Sequence, residues 1–436
     1  MTIVEEFASK TKNSKRLWGH MAQVLPQGVT RTVAFFKPHP IVIDHGSGAR
    51  IWDADGNEYI DLLNNHSALI HGHAHPEICK AASEVVAKGT VFPAPHIFQE
   101  DHARMLVNRI PSADMVRYQN SGTEAIMYAV RLARALTKRD VIVKAIGGYH
   151  GTWDAVWCYV GGQKSFDGGI GEPQPGIPKD VHNLTKTYEF NNRSSLSSVC
   201  KGIGKNLAAI IIEPMLVAGG VIPGDPEFLR ECRRLCDELG ALLIFDEVQT
   251  FRLAWGGMQE WYDVSPDITA LGKIIGGGFP VGAVAGKQEI LSSFIGGSST
   301  YVNHSGTFNG NLMTMKCGAV ALKLLDRKAI ERINAFGDKI SSECQRMIKS
   351  HGLAGCVTGH GSIRNYHMGV EEVNCVSDTH NEDLKLMDMF HLSLLLNGLF
   401  MANRGYFNIS TALTEIDIDE ILDRIDRALA RVSKEV

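Results

Sequence analysis

Three short, unbroken apolar runs, Val141 to Val143, Ala208 to Ile212 and Ala241 to Phe245, constrain this chain more than any other feature. Each is rich in strand-forming residues, and helix-like stretches such as Glu227 to Leu239 stand between them. A strand that is apolar at every position has to be covered on both faces, and parallel strands joined by crossover helices are covered in that way. The pattern predicts an α/β fold around a mostly parallel central sheet. A length of 436 residues leaves room for a large α/β domain and a smaller partner.

The flanking segments fill in that outline. From Ile41 to Asp61 apolar positions alternate with turn formers, and Asp53-Ala54-Asp55-Gly56-Asn57 predicts a tight turn between two short strands. Helical spacing covers Ala103 to Ile110 and Ala125 to Leu136, the second entered through Ser121-Gly122-Thr123-Glu124, a good N-terminal signal. A glycine-rich region, Gly276 to Gly286, and a polar stretch, Gly296 to Asn311, lead to a helix over Leu312 to Leu325. A helix over Asp326 to Ser350, strands near Ser362 to Gly369 and a last helix over Asp417 to Val432 read as a separate C-terminal α/β unit. The Gly- and Pro-rich segment Gln163 to Asp180 reads as a long loop. The expected division is an N-terminal segment, 1–65, a large domain, 66–325, and a C-terminal small domain, 326–436.

Charge and composition remove whole classes of function. Lys and Arg number 44 against 48 Asp and Glu, interspersed, for a net charge of -4, so there is no electrostatic footprint for nucleic acid. Met1 to Lys15 lacks the apolar core of an export signal, and no stretch approaches the roughly 18 apolar residues of a membrane span. Nine scattered cysteines are odd in number, as expected of free thiols in a reducing cytoplasm.

Chemistry concentrates at three places. Ile244-Phe245-Asp246-Glu247-Val248 sets two carboxylates directly after an apolar strand, at the carboxyl end where α/β sheets place their ligands. Leu271-Gly272-Lys273-Ile274-Ile275-Gly276 sets one lysine between an apolar run and glycines, where desolvation would favour the neutral, nucleophilic amine. Ser121-Gly122-Thr123, at a helix start, offers N–H and hydroxyl donors and a dipole's positive end to an anion. Taken singly, each has an ordinary structural explanation: a cap or turn, a surface lysine, a plain N-cap. The order of the three fits no Walker A loop, and Gly202-Ile203-Gly204-Lys205-Asn206 precedes a strand where a dinucleotide loop would follow one.

With these residues in place, the chain resembles the class III, fold-type I aminotransferases that depend on pyridoxal 5′-phosphate (PLP). The resemblance runs through Trp52-Asp53-Ala54-Asp55-Gly56, Gly72-His73-Ala74-His75-Pro76, Ser121-Gly122-Thr123-Glu124-Ala125, Gly148-Tyr149-His150-Gly151, Ile212-Glu213-Pro214, Asp246-Glu247-Val248 and Leu271-Gly272-Lys273. It implies a large cofactor domain beside a smaller domain built from both chain ends. It implies that Lys273 attaches PLP and carries the proton, and that Asp246 pairs with the pyridine nitrogen so that the ring can withdraw electrons. By the same resemblance Tyr149 stacks on the ring, Val248 packs on its other face, Ser121, Gly122 and Thr123 hold the phosphate, and Glu213 belongs to the surrounding shell. Thr307, in His304-Ser305-Gly306-Thr307-Phe308, would reach the phosphate of a neighbouring subunit, which implies a homodimer with shared sites.

Two further stretches resemble the β-amino-acid (β-phenylalanine) aminotransferases: Leu25 to Phe36, with Arg31, and Met401-Ala402-Asn403-Arg404-Gly405-Tyr406. Arg31 and Arg404 are therefore expected to receive substrate carboxylates, since a guanidinium fork matches a carboxylate bidentately. The expected reaction moves an amino group from a β-amino acid to a 2-oxo acid such as 2-oxoglutarate or pyruvate. Glutamate-1-semialdehyde aminomutases share the N-terminal look but have no arginine matching Arg404; that reaction, or transamination of an amine or a D-α-amino acid, is the alternative. His71, His73 and His75 would share one face if they lay on a strand, but they match the family's Gly-His-x-His-Pro segment and read as structural, with no metal.

Overall fold

A computed structural model describes residues 1–158 and 174–436. The chain divides into two compact units, one of Met1–Pro76, Arg332–Val373 and Asn381–Val436, the other of Glu77–Glu331 and Asn374–His380. The loop expected over Gln163 to Asp180 lies outside the described residues as far as 173, and its end enters a short helix, Lys179–Asn183.

The second unit is built on seven strands: β1 (Met115–Gln119), β2 (Val141–Ala145), β3 (Thr185–Tyr188), β4 (Leu207–Ile212), β5 (Leu242–Asp246), β6 (Ile268–Gly272) and β7 (Gly282–Gly286). Their order across the sheet is β1-β7-β6-β5-β4-β2-β3. The neighbours from β6 to β3 pair in parallel, and β7 alone runs antiparallel to both of its neighbours. The expected mostly parallel α/β sheet is therefore present. Every residue of β2, β4, β6 and β7 is buried.

Helix α1 (Gly122–Thr137) shows why the sheet holds. Its buried Ala125, Ala129 and Ala133, with Ile126, Val130 and Leu132, meet Ile142, Ala209, Ile211, Ile244 and Val284 of the sheet in one core. The alanines let the helix approach closely, and truncating one of the large partners to alanine costs about 2–5 kcal/mol. Helix α2 (Pro226–Leu239) is capped by Asp225, whose side chain accepts from the Phe228 N–H, and is closed by Gly240 in the left-handed conformation.

The first unit contains two smaller sheets. Ile43–Ser47, Arg50–Asp53 and Glu58–Asp61 form a meander, and Leu399–Phe400 adds in parallel to its third strand. Gly355–His360, Ile363–Met368 and Tyr406–Asn408 form an antiparallel sheet. The closing helix, Glu415–Val432, opens on a Thr414/Asp417 capping box and buries Ile418, Ile421, Leu422, Ile425 and Leu429 at helical spacing.

Two expectations need correction. The N-terminal hairpin has a third strand because a second turn, with Gly48 at φ 55°, precedes the Asp53 turn. The glycine-rich region also ends in a strand, β7. Its Gly282 lies so close to the Ser121 backbone that an added Cβ would stand 2.0 Å from the Ser121 oxygen. Gly282→Ala is therefore expected to lower the thermal midpoint by several degrees and to weaken PLP binding together with it. An unchanged midpoint and cofactor affinity, by differential scanning fluorimetry and equilibrium dialysis, would remove this close approach as a constraint.

Candidate active site

Chain topology collects the chemistry. Ser121 follows β1, Tyr149 and His150 follow β2, Glu213 follows β4, Asp246 ends β5 and Lys273 follows β6, so all lie at the carboxyl ends of strands that run the same way. That is the edge of an open parallel sheet where ligands bind.

Asp246 is buried and takes two hydrogen bonds. His150 Nδ1 lies 2.8 Å from its Oδ2, and the Val248 N–H donates to its Oδ1 at 3.1 Å. Burial is the largest influence on His150 and holds it neutral below its ordinary range, with Asp246 pulling the other way. His150 Nε2 has no hydrogen-bond partner among the described residues. The neighbouring carboxyl has a different task. Glu247 accepts from the Thr250 hydroxyl (2.8 Å) and the Met258 (3.0 Å) and Gln259 (3.2 Å) N–H groups, tying the turn after β5 to the segment beyond it. Burial, the dominant influence, raises its pKa to about 7.

Glu213 joins two strand ends, accepting from the Tyr149 N–H at 2.9 Å and the Val217 N–H at 3.2 Å. Lys144, fully buried on β2, donates to the Cys158 carbonyl at 2.6 Å; burial lowers its pKa, and the charges of Cys158 and Glu213 oppose that shift.

The segment expected to cradle an anion is a capped helix start. Ser121 caps α1, its hydroxyl accepting from the Glu124 N–H at 3.1 Å, while Glu124 accepts from the Asn120 N–H at 2.6 Å. Val248 connects the cradle with the lysine: a Cβ on Gly122 and a Cβ on Gly272 would each stand 3.2 Å from it. Gly151 packs on Thr123, whose hydroxyl accepts from the Thr152 N–H at 3.2 Å. Gly122, Thr123, Val248, Asp246, Glu213, Tyr149 and the Lys273 turn thus form one continuous patch of contacts. Thr307 lies exposed in a turn of the same unit. Arg31 and Arg404 belong to the first unit, Arg31 exposed and Arg404 half-buried.

Lys273 has φ 48°, left-handed for a side chain other than glycine, so its turn has to be held by its surroundings. Buried His102 supplies one hold. Its Nε2–H donates to the Ile275 carbonyl at 2.7 Å, and its Nδ1 accepts from the Tyr118 hydroxyl at 2.7 Å. Burial depresses its pKa to about 4. The sequence reading missed His102, His150 and Lys144; the one local signal was the run Gly148-Tyr149-His150-Gly151. His71, His73 and His75 do not lie on a common strand, and His71 and His73 bond Thr411 and Asp61, each at 2.7 Å.

These residues fit PLP. A buried carboxylate backed by a neutral imidazole suits a protonated pyridine nitrogen. A capped helix N-terminus with glycine as its first residue suits a phosphate, and the lysine turn adjoins both through Val248.

Burial first, then the charge of Asp246, raises the Glu213 carboxyl well above its ordinary 4.5; its two backbone N–H donors and Lys273 offset this only in part. The folded chain therefore keeps a proton that the unfolded chain has released. The stability from this site is complete below about pH 4.5 and is lost as the pH climbs through the raised value. Between about pH 5 and about pH 8 the thermal midpoint of the apoprotein should fall more steeply in the wild type than in Glu213→Gln. Parallel slopes would show that Glu213 does not titrate there.

The aminotransferase class-III family matches residues 34–429. Over 430 residues, 98% of this chain and all of the relative, it is 37% identical to a glutamate-1-semialdehyde 2,1-aminomutase of Methanosphaera stadtmanae. A solved transaminase with PLP bound superposes at a TM-score of 0.91, with 34% identity, covering 98% of this chain and 99% of that one. A β-phenylalanine aminotransferase of Variovorax paradoxus superposes at 0.90, with 32% identity, covering 97% and 95%. With a cofactor-fitting site at the carboxyl edge of its sheet and full-length likeness to these proteins, the chain belongs to the class-III aminotransferase family and is a PLP-dependent enzyme.

Proposed function

We propose that this enzyme moves an amino group on a carboxylate-bearing substrate, with Lys273 as the residue that attaches PLP and carries the proton. The observation that carries this is the patch in which the Lys273 turn, Asp246 and the capped start of α1 meet around Val248, with Glu213 close enough to feel the charges of Asp246 and Lys273. When bound, PLP supplies an electron-withdrawing ring that stabilises negative charge on the substrate carbon. The rest is done by the chain. Asp246, oriented by His150, would hold the proton on the ring nitrogen; Ser121, Gly122 and Thr123 would hold the phosphate; and Tyr149 and Val248 would pack on the ring. Lys273 Nζ takes a proton from one carbon and returns it to another position. Arg31 and Arg404 receive substrate carboxylates. A homodimer, with Thr307 reaching the partner's phosphate, completes the proposal.

Two forms of this chemistry are open. The first is a 1,2-exchange within one molecule of the glutamate-1-semialdehyde type, supported by the 37% identity to an aminomutase over that protein's entire length. It takes precedence over the β-amino-acid transamination expected from sequence. That second reading is supported by Arg404, by the Leu25 to Phe36 stretch and by the 32% identity to a β-phenylalanine aminotransferase.

One assay separates the two. With glutamate-1-semialdehyde and no external oxo acid, the first predicts steady accumulation of the amino-shifted isomer. The second predicts turnover of β-phenylalanine that stops without 2-oxoglutarate or pyruvate, with the parallel-line kinetics of a ping-pong reaction. In either case Lys273→Ala should reduce turnover by roughly a thousandfold or more. Near-wild-type turnover in that variant would overturn the role of Lys273.

A further inference from the structure

Four successive non-glycine residues, Asn64, Asn65, His66 and Ser67, have φ of 47°, 49°, 54° and 70°. A left-handed turn of L-residues is costly because each Cβ crowds the following carbonyl oxygen, and runs of this length are unusual even for asparagine, which tolerates the region best. The turn is pinned from beneath. Asp61 Oδ1 accepts from the Leu63 and Asn64 N–H groups at 2.8 and 2.9 Å, while its Oδ2 lies 2.7 Å from His73 Nε2. Buried Asn64 donates from Nδ2 to the Asn408 carbonyl at 3.1 Å, and Asn408 Nδ2 donates to the Leu63 carbonyl at 2.7 Å.

The turn presents Asn65 at the surface. Its Oδ1 accepts from Arg31 Nη1 at 2.9 Å, a contact between residues 34 apart in sequence. The next residue, His66, stacks on the Tyr406 ring at 6.1 Å, and the Arg404 guanidinium lies 5.6 Å from the centre of that same ring. The strained turn therefore touches the surroundings of both arginines expected to bind carboxylates, within one unit of the protein. An exposed hydrogen bond adds little to stability, so it does not explain why so costly a backbone is kept. Strain of this kind is retained where it sets a functional geometry.

We propose that Asn65 is a positioning residue that fixes the Arg31 fork for a substrate carboxylate; this rests on the reading of Arg31 as a carboxylate receptor. Engaging one guanidinium N–H restricts rotation of the fork and leaves the others for a bidentate carboxylate.

The test uses the PLP-loaded enzyme and glutarate, a dicarboxylate without an amine, with affinity read by titration calorimetry. In Asn65→Gly the acceptor is lost, yet glycine takes the left-handed conformation without steric cost, so the thermal midpoint should hold or rise. Glutarate affinity should fall about five- to tenfold. Arg31→Ala should weaken it at least as much, and adding Asn65→Gly to Arg31→Ala should change nothing further. Unchanged affinity in Asn65→Gly beside a loss in Arg31→Ala overturns the positioning role alone, as do losses that simply add in the double variant. Unchanged affinity in Arg31→Ala, or no binding of glutarate by the wild type, overturns the receptor reading and the positioning role with it.

Discussion

The buried Asp246 carboxylate at the end of β5 is the constraint around which the rest of the second unit is arranged. A charge removed from water needs partners, and Asp246 has a neutral imidazole on one oxygen and its own turn's N–H on the other. Its charge reaches Glu213 and helps to keep that carboxyl protonated. A protonated ring nitrogen beside Asp246 would supply a counter-charge, and PLP binding would then be linked to folding of this region.

Packing spreads the constraint. Val248 follows Asp246 by two residues and packs closely against both Gly122 and Gly272, where an added Cβ would crowd it at 3.2 Å. The capped start of α1, the Asp246 carboxylate and the lysine turn thus share one small contact at Val248. His102 holds the lysine turn from below, in a tautomer set by a carbonyl on one side and a hydroxyl on the other. Glu247, although adjacent to Asp246, is spent on three local donors and serves the turn.

Legibility from sequence followed the strength of local patterns. The runs at 141–143, 208–212 and 241–245 read as central strands because burial on both faces leaves an unbroken apolar signature. β1 and β3 carry Arg117, Gln119, Lys186 and Thr187 and so show no unbroken apolar run. β7 is Gly-Ala-Val-Ala-Gly, where close packing against the Ser121 backbone demands small residues that mimic a loop. The Lys273 and Asp246 motifs were visible because their flanking residues are themselves constrained by strand ends and tight turns. His102 and Lys144 were invisible because a buried histidine or lysine carries no neighbour pattern. Their partners, Ile275, Tyr118 and Cys158, are 173, 16 and 14 residues away.

Sequence by itself determined the sheet-and-helix alternation, the family and the residues proposed to attach and polarise PLP, because strand burial, helix capping and motif spacing are local properties. Only the tertiary structure decided that Val248 would bridge the cradle and the lysine, that His150 would back Asp246, and that four left-handed residues would carry Asn65 to Arg31. Each of those depends on contacts between segments distant in the chain, where the energy lies in the pairing and neither partner's local sequence records it.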